Sequence, residues 1–536
     1  MTSNLAIIKK LLAKKLYNEK DLSRVKRQLA RDFNVGMMTN NLLLKLYREA
    51  LAQGEIKPAP WLEDVLIKRR VRTLSGVAPL AVATKPFPCP GRCIYCPTDA
   101  RMPKSYLPNQ PAAARALNFK YQPYAQVQGR LRAFYDNGHK PEKVELRVLG
   151  GTWSYYPKSY QTWFIKELYR GLNEFGAIAK VKKSDLATLQ KTNEQVQHRA
   201  VGLSIETRPD YIDLAEIKRL RWFGVTKVEL GVQHLDQKII DLIKRDQTKD
   251  DVIRATKLLK DAGFKICYHI MPNLPGSTPE ADLAMVKELF ANPGLKPDQL
   301  KIYPCVVLKE APLYRLWQKK QFQTYDDETL VELLAEIKKL VPPYVRIERI
   351  YRDVPTADIA SGSTHINIRE MVQARLREQG LKCGCIRCRE VGNQIKINNE
   401  KITLKNLKLF IDKYEASDGV EHFISAESPD RKILYAFARL RFPSADVRDQ
   451  LPPLRQTAII RELHTYGQLV PLNTVDARAS QHQGLGKKLL LAAEQIAQSA
   501  GYAKIAVISG VGVRGYYQKL GYRLEDKFGY MIKKLY

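Results

Sequence analysis

Three textures of apolar and polar positions follow one another along the chain. Ile8, Leu12 and Leu16 recur at helical spacing with Lys9, Lys10, Lys14 and Lys15 among them, which predicts a basic amphipathic helix. Arg24, Lys26, Arg27 and Arg31 continue this basic face, and Lys68, Arg69, Arg70 and Arg72 close it. From about residue 76, short apolar runs alternate with helical stretches. Residues 144–149, 200–205, 227–231 and 265–270 read as strands, and 160–175 and 250–262 as helices. Such alternation implies a parallel sheet, open or closed into a partial barrel. Residues 316–390 are mixed, helical and basic. From about 391, antiparallel strands at 432–441 and 457–466 lead through a glycine-punctuated turn into a helix at 487–500. A strand at 504–508, a short tyrosine-bearing helix and a last strand complete a compact α+β unit. The boundaries expected are therefore 1–75, 76–315, 316–390 (a linker) and 391–536.

Composition changes this picture little, and charge changes it more. The 536 residues suit about three domains, and 45% hydrophobic with 27% charged is globular, neither disordered nor fibrous. No run approaches the roughly 18 apolar residues of a membrane span. Residues 1–16 loosely imitate a mitochondrial presequence, but Glu19 and Asp21 follow at once, so a cytoplasmic location is expected. The formal net charge is +32, which predicts attraction to a polyanion, nucleic acid first. Residues 1–75 hold 16 basic and 7 acidic residues, and 391–536 hold 22 and 14. The charge is thus spread over all parts, with an N-terminal concentration. A solvated helical face is the plainer reading of residues 1–75, and a phosphate-contacting module the sharper one.

Six of the eight cysteines fall in two clusters at metal-ligand spacing, which argues for metals and against a disulfide framework. Cys89, Cys93 and Cys96 follow an apolar run at 79–83, so they occupy a loop leaving the first strand. Three thiolates can hold three irons of a [4Fe–4S] cube and leave the fourth open to S-adenosylmethionine. Zinc is the alternative, but a structural zinc takes four protein ligands and no fourth lies nearby in sequence. Cys383, Cys385 and Cys388 suit a structural Zn²⁺, with His365 as candidate fourth ligand.

Two glycine features add chemistry. Gly150, Gly151 and Thr152 end a predicted strand, where glycine permits close backbone approach to a ligand. Gln481, Gly484, Leu485 and Gly486 precede a helix opening with Lys487, a backbone anion site suited to a pyrophosphate, although a simple turn reads the same way. Tyr516 and Tyr517 follow thirty residues later. A tyrosine there can protonate a departing thiolate, and core packing is the other reading of either ring.

The C-x3-C-x2-C loop after a first strand, with the Gly-Gly-Thr of 150–152, resembles the radical S-adenosylmethionine superfamily. The Gln-x-x-Gly-x-Gly turn with its tyrosine helix resembles the acetyl-coenzyme A loop of the GNAT acetyltransferases. Both together, with the stretches 204–211, 461–464, 481–486 and 504–512, resemble the family of the Elongator catalytic subunit in its stand-alone prokaryotic form, the tRNA uridine(34) acetyltransferases, over nearly the whole chain.

That resemblance implies a partial TIM-like barrel of the radical enzymes, then a GNAT domain, behind a basic helical tRNA-binding region. It implies that Cys89, Cys93 and Cys96 bind the cluster and that Lys143 contacts acetyl-coenzyme A. Glu462, Leu463, His464 and Thr465 would lie beside that cofactor, Leu485 to Lys487 would hold its pyrophosphate, and Tyr517 would meet its thiol end. The implied reaction is carboxymethylation of wobble uridine 34, with S-adenosylmethionine generating the radical that activates the acetyl methyl group. The partner is the tRNA anticodon stem-loop, and the stand-alone form implies action without accessory subunits. A protein lysine N-acetyltransferase is the main alternative, and an RNA-binding scaffold a third reading.

Overall fold

The computed structural model describes residues 2–14, 16, 19–68, 73, 75–176, 184–398, 407–448, 450–467, 484–525 and 528–535. Four helices open the chain: α1 (Thr2–Leu12), α2 (Glu19–Asp32), α3 (Asn40–Ala52) and α4 (Pro60–Leu66). They bury their own small core of Ile8, Leu11, Leu29, Leu43, Tyr47 and Leu62. Ile8 and Leu16 are buried and Leu12 half-buried, as their spacing predicts. Thr39 caps α3 through the amide of Leu42, and Pro60 supplies the fixed φ of the first turn of α4.

A seven-stranded parallel sheet follows. Its strands are β1 (Ala78–Ala83), β2 (Lys143–Leu149), β3 (Arg199–Thr207), β4 (Lys227–Gln233), β5 (Lys265–Ile270) and β6 (Gln299–Ile302). β7 (Val307–Leu308) leaves this sheet, and β8 (Arg346–Arg349) closes its far edge. Each strand lies beside its predecessor, in the order β1-β2-β3-β4-β5-β6-β8. Parallel neighbours in this order imply right-handed crossovers, which set the crossover helices on one face of the sheet and leave the other as the lumen of a curled half-barrel. The side chains obey the two-residue period of a strand. Val144, Leu146 and Val148 face the helices, and Lys143, Glu145 and Arg147 alternate with them. β7 pairs with β9 (Ile359–Ser361) in a separate ladder. The stretch read as a linker, 316–390, therefore contributes β8 to the barrel, paired with β6.

The second sheet is mixed. β10 (Lys408–Ala416) and β11 (Gly419–Glu427) form a hairpin, joined by β12 (Leu434–Phe442), β13 (Thr457–Thr465), β14 (Lys504–Ile508), β15 (Arg523–Leu524) and β16 (Tyr530–Lys534). The order is β10-β11-β12-β13-β14-β16-β15, and only β13–β14 is parallel. That pair is bonded from Thr457–Lys504 to Ile460–Val507 and no further, so the two strands part beyond Ile460.

The second sheet docks on the N-terminal ends of the barrel strands through buried ions. Arg461 clamps Asp298, just before β6, at 2.6 and 2.8 Å, and also reaches Glu421. Arg441 holds Asp261, and Arg439 donates to the Tyr344 carbonyl. After β14 the chain touches the start of β3: a Cβ on Gly510 would strike the Val201 carbonyl, and one on Gly512 would lie 2.5 Å from Arg199 Cβ. The glycines of the 504–512 stretch thus serve contact between the two sheets.

Candidate active site

The cysteine loop lies beyond the C-terminal end of β1, the end of a barrel where loops converge on chemistry. Cys93 and Cys96 are buried and Cys89 half-buried. Cys89 Sγ lies 3.7 Å from Thr152 Oγ1, which brings the loop beside the Gly-Gly-Thr turn after β2. The two glycines of that turn differ. A Cβ on Gly150 would strike Thr84 Oγ1, so packing demands this glycine, whereas one on Gly151 would meet nothing closer than Lys104 Cβ at 3.5 Å. Burial, then the neighbouring Cys93 thiol, pushes the Cys96 thiol up to about 11, with Arg352 and Lys104 opposing.

The residues present fit a [4Fe–4S] cluster. The donors are three soft sulfurs, and cations lie close, with Arg245 Nη1 3.5 Å from Cys93 Sγ. A single tetrahedral ion would draw its thiolates to about 4 Å from one another at Zn–S bonds of about 2.3 Å. Among the described residues two sets of three ligand atoms converge within 4.8 Å, and Cys89, Cys93 and Cys96 are not one of them.

One such set is Cys383, Cys385 and Cys388, on and before the short helix Ile386–Arg389 that Cys385 opens. His365 does not join it, which corrects the expected fourth ligand. Its Nε2 lies 3.1 Å from Asp327 Oδ2 at the surface, and this carboxylate at the start of helix Asp327–Leu340 satisfies the imidazole. Lys338 approaches these sulfurs, with Nζ 4.0 Å from Cys388 Sγ.

The other set, Glu229, Cys267 and His269, belongs to a ladder of ions filling the lumen. Lys227 Nζ stands 3.1 Å from Glu229, 3.1 Å from Glu348 and 3.6 Å from Glu145. Lys301 pairs with Glu229 and lies 3.6 Å from Glu206. His269 Nε2 is 2.8 Å from Glu229. Two ammonium groups already neutralise Glu229, which disfavours a divalent cation there. Sequence reading missed these groups, although Lys143-Val-Glu145-Leu-Arg147 and Lys227-Val-Glu229 carry the alternation of a two-faced strand.

At the opposite, N-terminal mouth stand the residues of β13. Glu462 pairs with Lys265 at 3.3 Å and Arg439 at 3.0 Å. Burial pushes its carboxyl up, but those cations outweigh burial and hold it below the usual range. His464 donates from Nε2 to the Ser75 carbonyl at 3.0 Å, and burial lowers its pKa against the pull of Glu462, so the ring is neutral. Lys143, at the first position of β2, is half-buried, and burial lowers its pKa too.

Gly484, with φ of 72°, opens the helix Leu485–Ser499 without a side-chain cap, which leaves first-turn amides available to an anion. A Cβ on Gly486 would lie 3.0 Å from Tyr516 Oη, 3.8 Å from Thr465 Oγ1 and 3.9 Å from a Leu463 methyl. The glycine turn, the end of β13 and Tyr516 therefore converge on one point. Tyr517 faces inward, 6% exposed in the core beside Tyr522, whereas Tyr516 is 42% exposed. Lys487 is exposed on the same helix. Gln481 lies outside the described residues.

Of the N-terminal cations, Lys9, Arg24, Arg27, Arg31 and Lys68 are exposed and Lys14 half-buried. Lys10 pairs with Asp32 at 2.8 Å, and Lys26 donates to Asn40 at 3.0 Å. Lys15, Arg69 and Arg70 lie outside the described residues. Among the described residues no helix is long and apolar enough to cross a membrane.

Known proteins share this arrangement. Residues 88–289 match the radical SAM superfamily and residues 297–378 the Radical_SAM C-terminal domain. The tRNA uridine(34) acetyltransferase of Dehalococcoides mccartyi is 45% identical over 477 residues, 88% of this chain and 100% of that protein. Its namesake from Methanocaldococcus jannaschii is 43% identical over 480 residues, 88% of this chain and 87% of its own. The structure of the archaeal Methanocaldococcus infernus Elp3, with residues 1–46 deleted, superposes with a TM-score of 0.75 at 39% identity, covering 86% of this chain and 100% of that one. On these identities, the chain belongs to the tRNA uridine(34) acetyltransferase family within the radical SAM superfamily.

Proposed function

We propose that this protein is a tRNA-modifying enzyme that builds the 5-carboxymethyl group of wobble uridine 34 from acetyl-coenzyme A. The observation that carries this reading is identity of 43–45% to tRNA uridine(34) acetyltransferases over nearly nine-tenths of the chain. Cys89, Cys93 and Cys96 hold the [4Fe–4S] cluster, and Gly150, Gly151 and Thr152 border S-adenosylmethionine. Bound there, the pair supplies hydrogen abstraction from carbon. The second sheet, with its GNAT-like glycine turn, holds acetyl-coenzyme A. Gln481, Gly484, Leu485, Gly486 and Lys487 bind its pyrophosphate, and Lys143 and residues 462–465 line its acyl end. Cys383, Cys385 and Cys388 hold a structural Zn²⁺.

The chain's own groups then divide the work. Burial raises the Tyr516 hydroxyl above its usual pKa, so it is protonated at neutral pH and can hand its proton to a departing thiolate. Tyr517 packs beneath it and fixes the helix. The neutral His464, anchored on Ser75, walls the acyl end without adding a charge. Exposed cations of α1 and α2, with Lys68, meet tRNA phosphates, and the wobble base leaves its stack to be reached.

The test is anaerobic. The reconstituted protein is given dithionite, S-adenosylmethionine, acetyl-coenzyme A and tRNA bearing uridine 34, and the digested tRNA is read by mass spectrometry. C5-carboxymethyl uridine is expected, and Cys89→Ala abolishes it. Intact cluster and bound tRNA without that product would sink the proposal. Acetylated lysine on added protein instead would favour the N-acetyltransferase reading.

A further inference from the structure

Two buried arginines flank the cysteine loop, and each is given its place by a glycine. Arg245 is fully anchored. Its Nε donates to Gln247 Oε1 at 2.8 Å, Nη2 donates to the Gly231 carbonyl, and Nη1 reaches Tyr95 Oη at 3.2 Å and Cys93 Sγ at 3.5 Å. A Cβ on Gly231 would lie 2.6 Å from Arg245 Nη2.

Arg208, 5% exposed after β3, is held along one edge only. Nε donates to Asp210 Oδ1 at 2.9 Å, and Nη2 donates to Asp210 Oδ2 at 2.9 Å and to the Asp246 carbonyl at 2.7 Å. Its Nη1 is buried and has no hydrogen-bond partner. That nitrogen lies 2.6 Å from where a Cβ of Gly91 would stand, and Cys93 Sγ lies 3.5 Å from the same point. Gly91 does not have a positive φ, so space and not backbone conformation calls for glycine there. An unsatisfied buried guanidinium nitrogen is costly, so a rigidly aimed one implies an acceptor.

We propose that Arg208, with Arg245 opposite, donates to the sulfur of the iron–sulfur cluster held by the cysteine loop and sets its reduction potential. The inference rests on the cluster assignment above. Three thiolates give the oxidised cluster net negative charge, and reduction adds another. Hydrogen bonds to sulfur and buried positive charge both favour the reduced form, two of the levers that set such potentials. The carboxylate of S-adenosylmethionine is the other anion within the site's chemistry. Gly91 borders the orphan nitrogen, and the Cys93 sulfur lies 3.5 Å from the point where a Gly91 Cβ would stand, so the nitrogen is on the loop's side of the site, which favours the cluster.

The experiment uses the full-length protein, reconstituted and poised by redox titration without S-adenosylmethionine, with the reduced cluster read by electron paramagnetic resonance. Absence of a [4Fe–4S] signal in the unsubstituted protein would refute the cluster assignment itself. Given that signal, Arg208→Gln is expected to lower the ratio of reduced to oxidised cluster at fixed potential about tenfold, which is about 59 mV for a one-electron couple. Arg208→Lys should recover part of the loss. If Arg208→Gln loads no cluster, Arg208→Lys serves alone, since it keeps the charge but loses the aimed Nη1–H, and a smaller shift in the same direction is expected. An unchanged potential overturns the proposal. So does an unchanged potential with weakened spectral response to added S-adenosylmethionine, which would assign the nitrogen to the carboxylate.

Discussion

The two adjacent tyrosines show how much one position of helical rotation decides. Tyr516 reaches the convergence point of Gly486, Thr465 and Leu463, and Tyr517 is core. Tyr516→Phe should therefore cut tRNA-dependent acetyl-coenzyme A cleavage about 10²-fold, at the lower end for a proton donor, with an unchanged melting temperature. Tyr517→Ala should cost about 3–5 kcal/mol as a large-to-small core substitution, read by denaturant unfolding. The sequence placed both rings in one short helix, and the family resemblance pointed to Tyr517. Which ring is buried depends on how that five-residue helix is rotated against β15 and β16, which so short a stretch does not set by itself. His365 failed for a similar reason. A histidine in sequence range of three cysteines finds a ligand role only if no carboxylate is nearer, and Asp327 is nearer.

Buried histidines carry a pH consequence at the same scale. His198, His422 and His464 all have pKa values lowered mainly by burial. The unfolded chain binds protons on these rings below about 6.5, and the folded chain does so only at lower pH, so stability falls as pH drops through that window. Melting temperature should decline from about pH 6.5 towards 5, and His464→Asn should flatten part of that decline.

At the scale of elements, the strands of the barrel were legible because apolar residues alternate in short runs, and the later sheet because β12 and β13 are long and β-rich. The β10–β11 hairpin was overlooked. Its turn, Ser417 and Asp418 with φ of 50° and 58°, has the geometry of a two-residue hairpin, but the residues are not the Asn-Gly that announces one. What could not be read at all is the ion layer between the sheets, because the partners named across it lie 95 to 180 residues apart. Arg461 is fully buried, so Arg461→Ala leaves Asp298 and Glu421 without their main cation and should cost about 3–5 kcal/mol. Urea unfolding would measure it. Arg461→Met likewise removes that cation, leaving Lys260 3.8 Å from Asp298 and 3.7 Å from Glu421, and should not restore stability.

For the whole molecule, the proposed function gives the net charge of +32 a use, the grip on a folded polyanion. The exposed cations of α1, α2 and Lys68 belong to one helical module, and the rest of the excess is carried by both sheets. Affinity for tRNA should fall steeply with salt, with one counterion released per phosphate contact at about 0.7–0.9 per charge in the log–log slope. Arg27→Ala and Arg31→Ala together should lower that slope, and a slope indifferent to salt would deny the charge this role.

The cysteine loop and the glycine turn serve opposite mouths of one barrel. β2 to β5 run six to nine residues, so about 20–30 Å of strand separates the two ends at about 3.3 Å per residue. Chemistry between two such ends is a problem of transport before it is one of bond strength. On the proposed function, the acyl group has to travel past Lys227 and its three carboxylates, or around the open side of the half-barrel. A slow passage would conceal the cost of breaking the C–H bond. Acetyl-coenzyme A deuterated in its methyl group should then show almost no isotope effect on turnover, and a large effect would mean that the acyl group is already in place when hydrogen is taken.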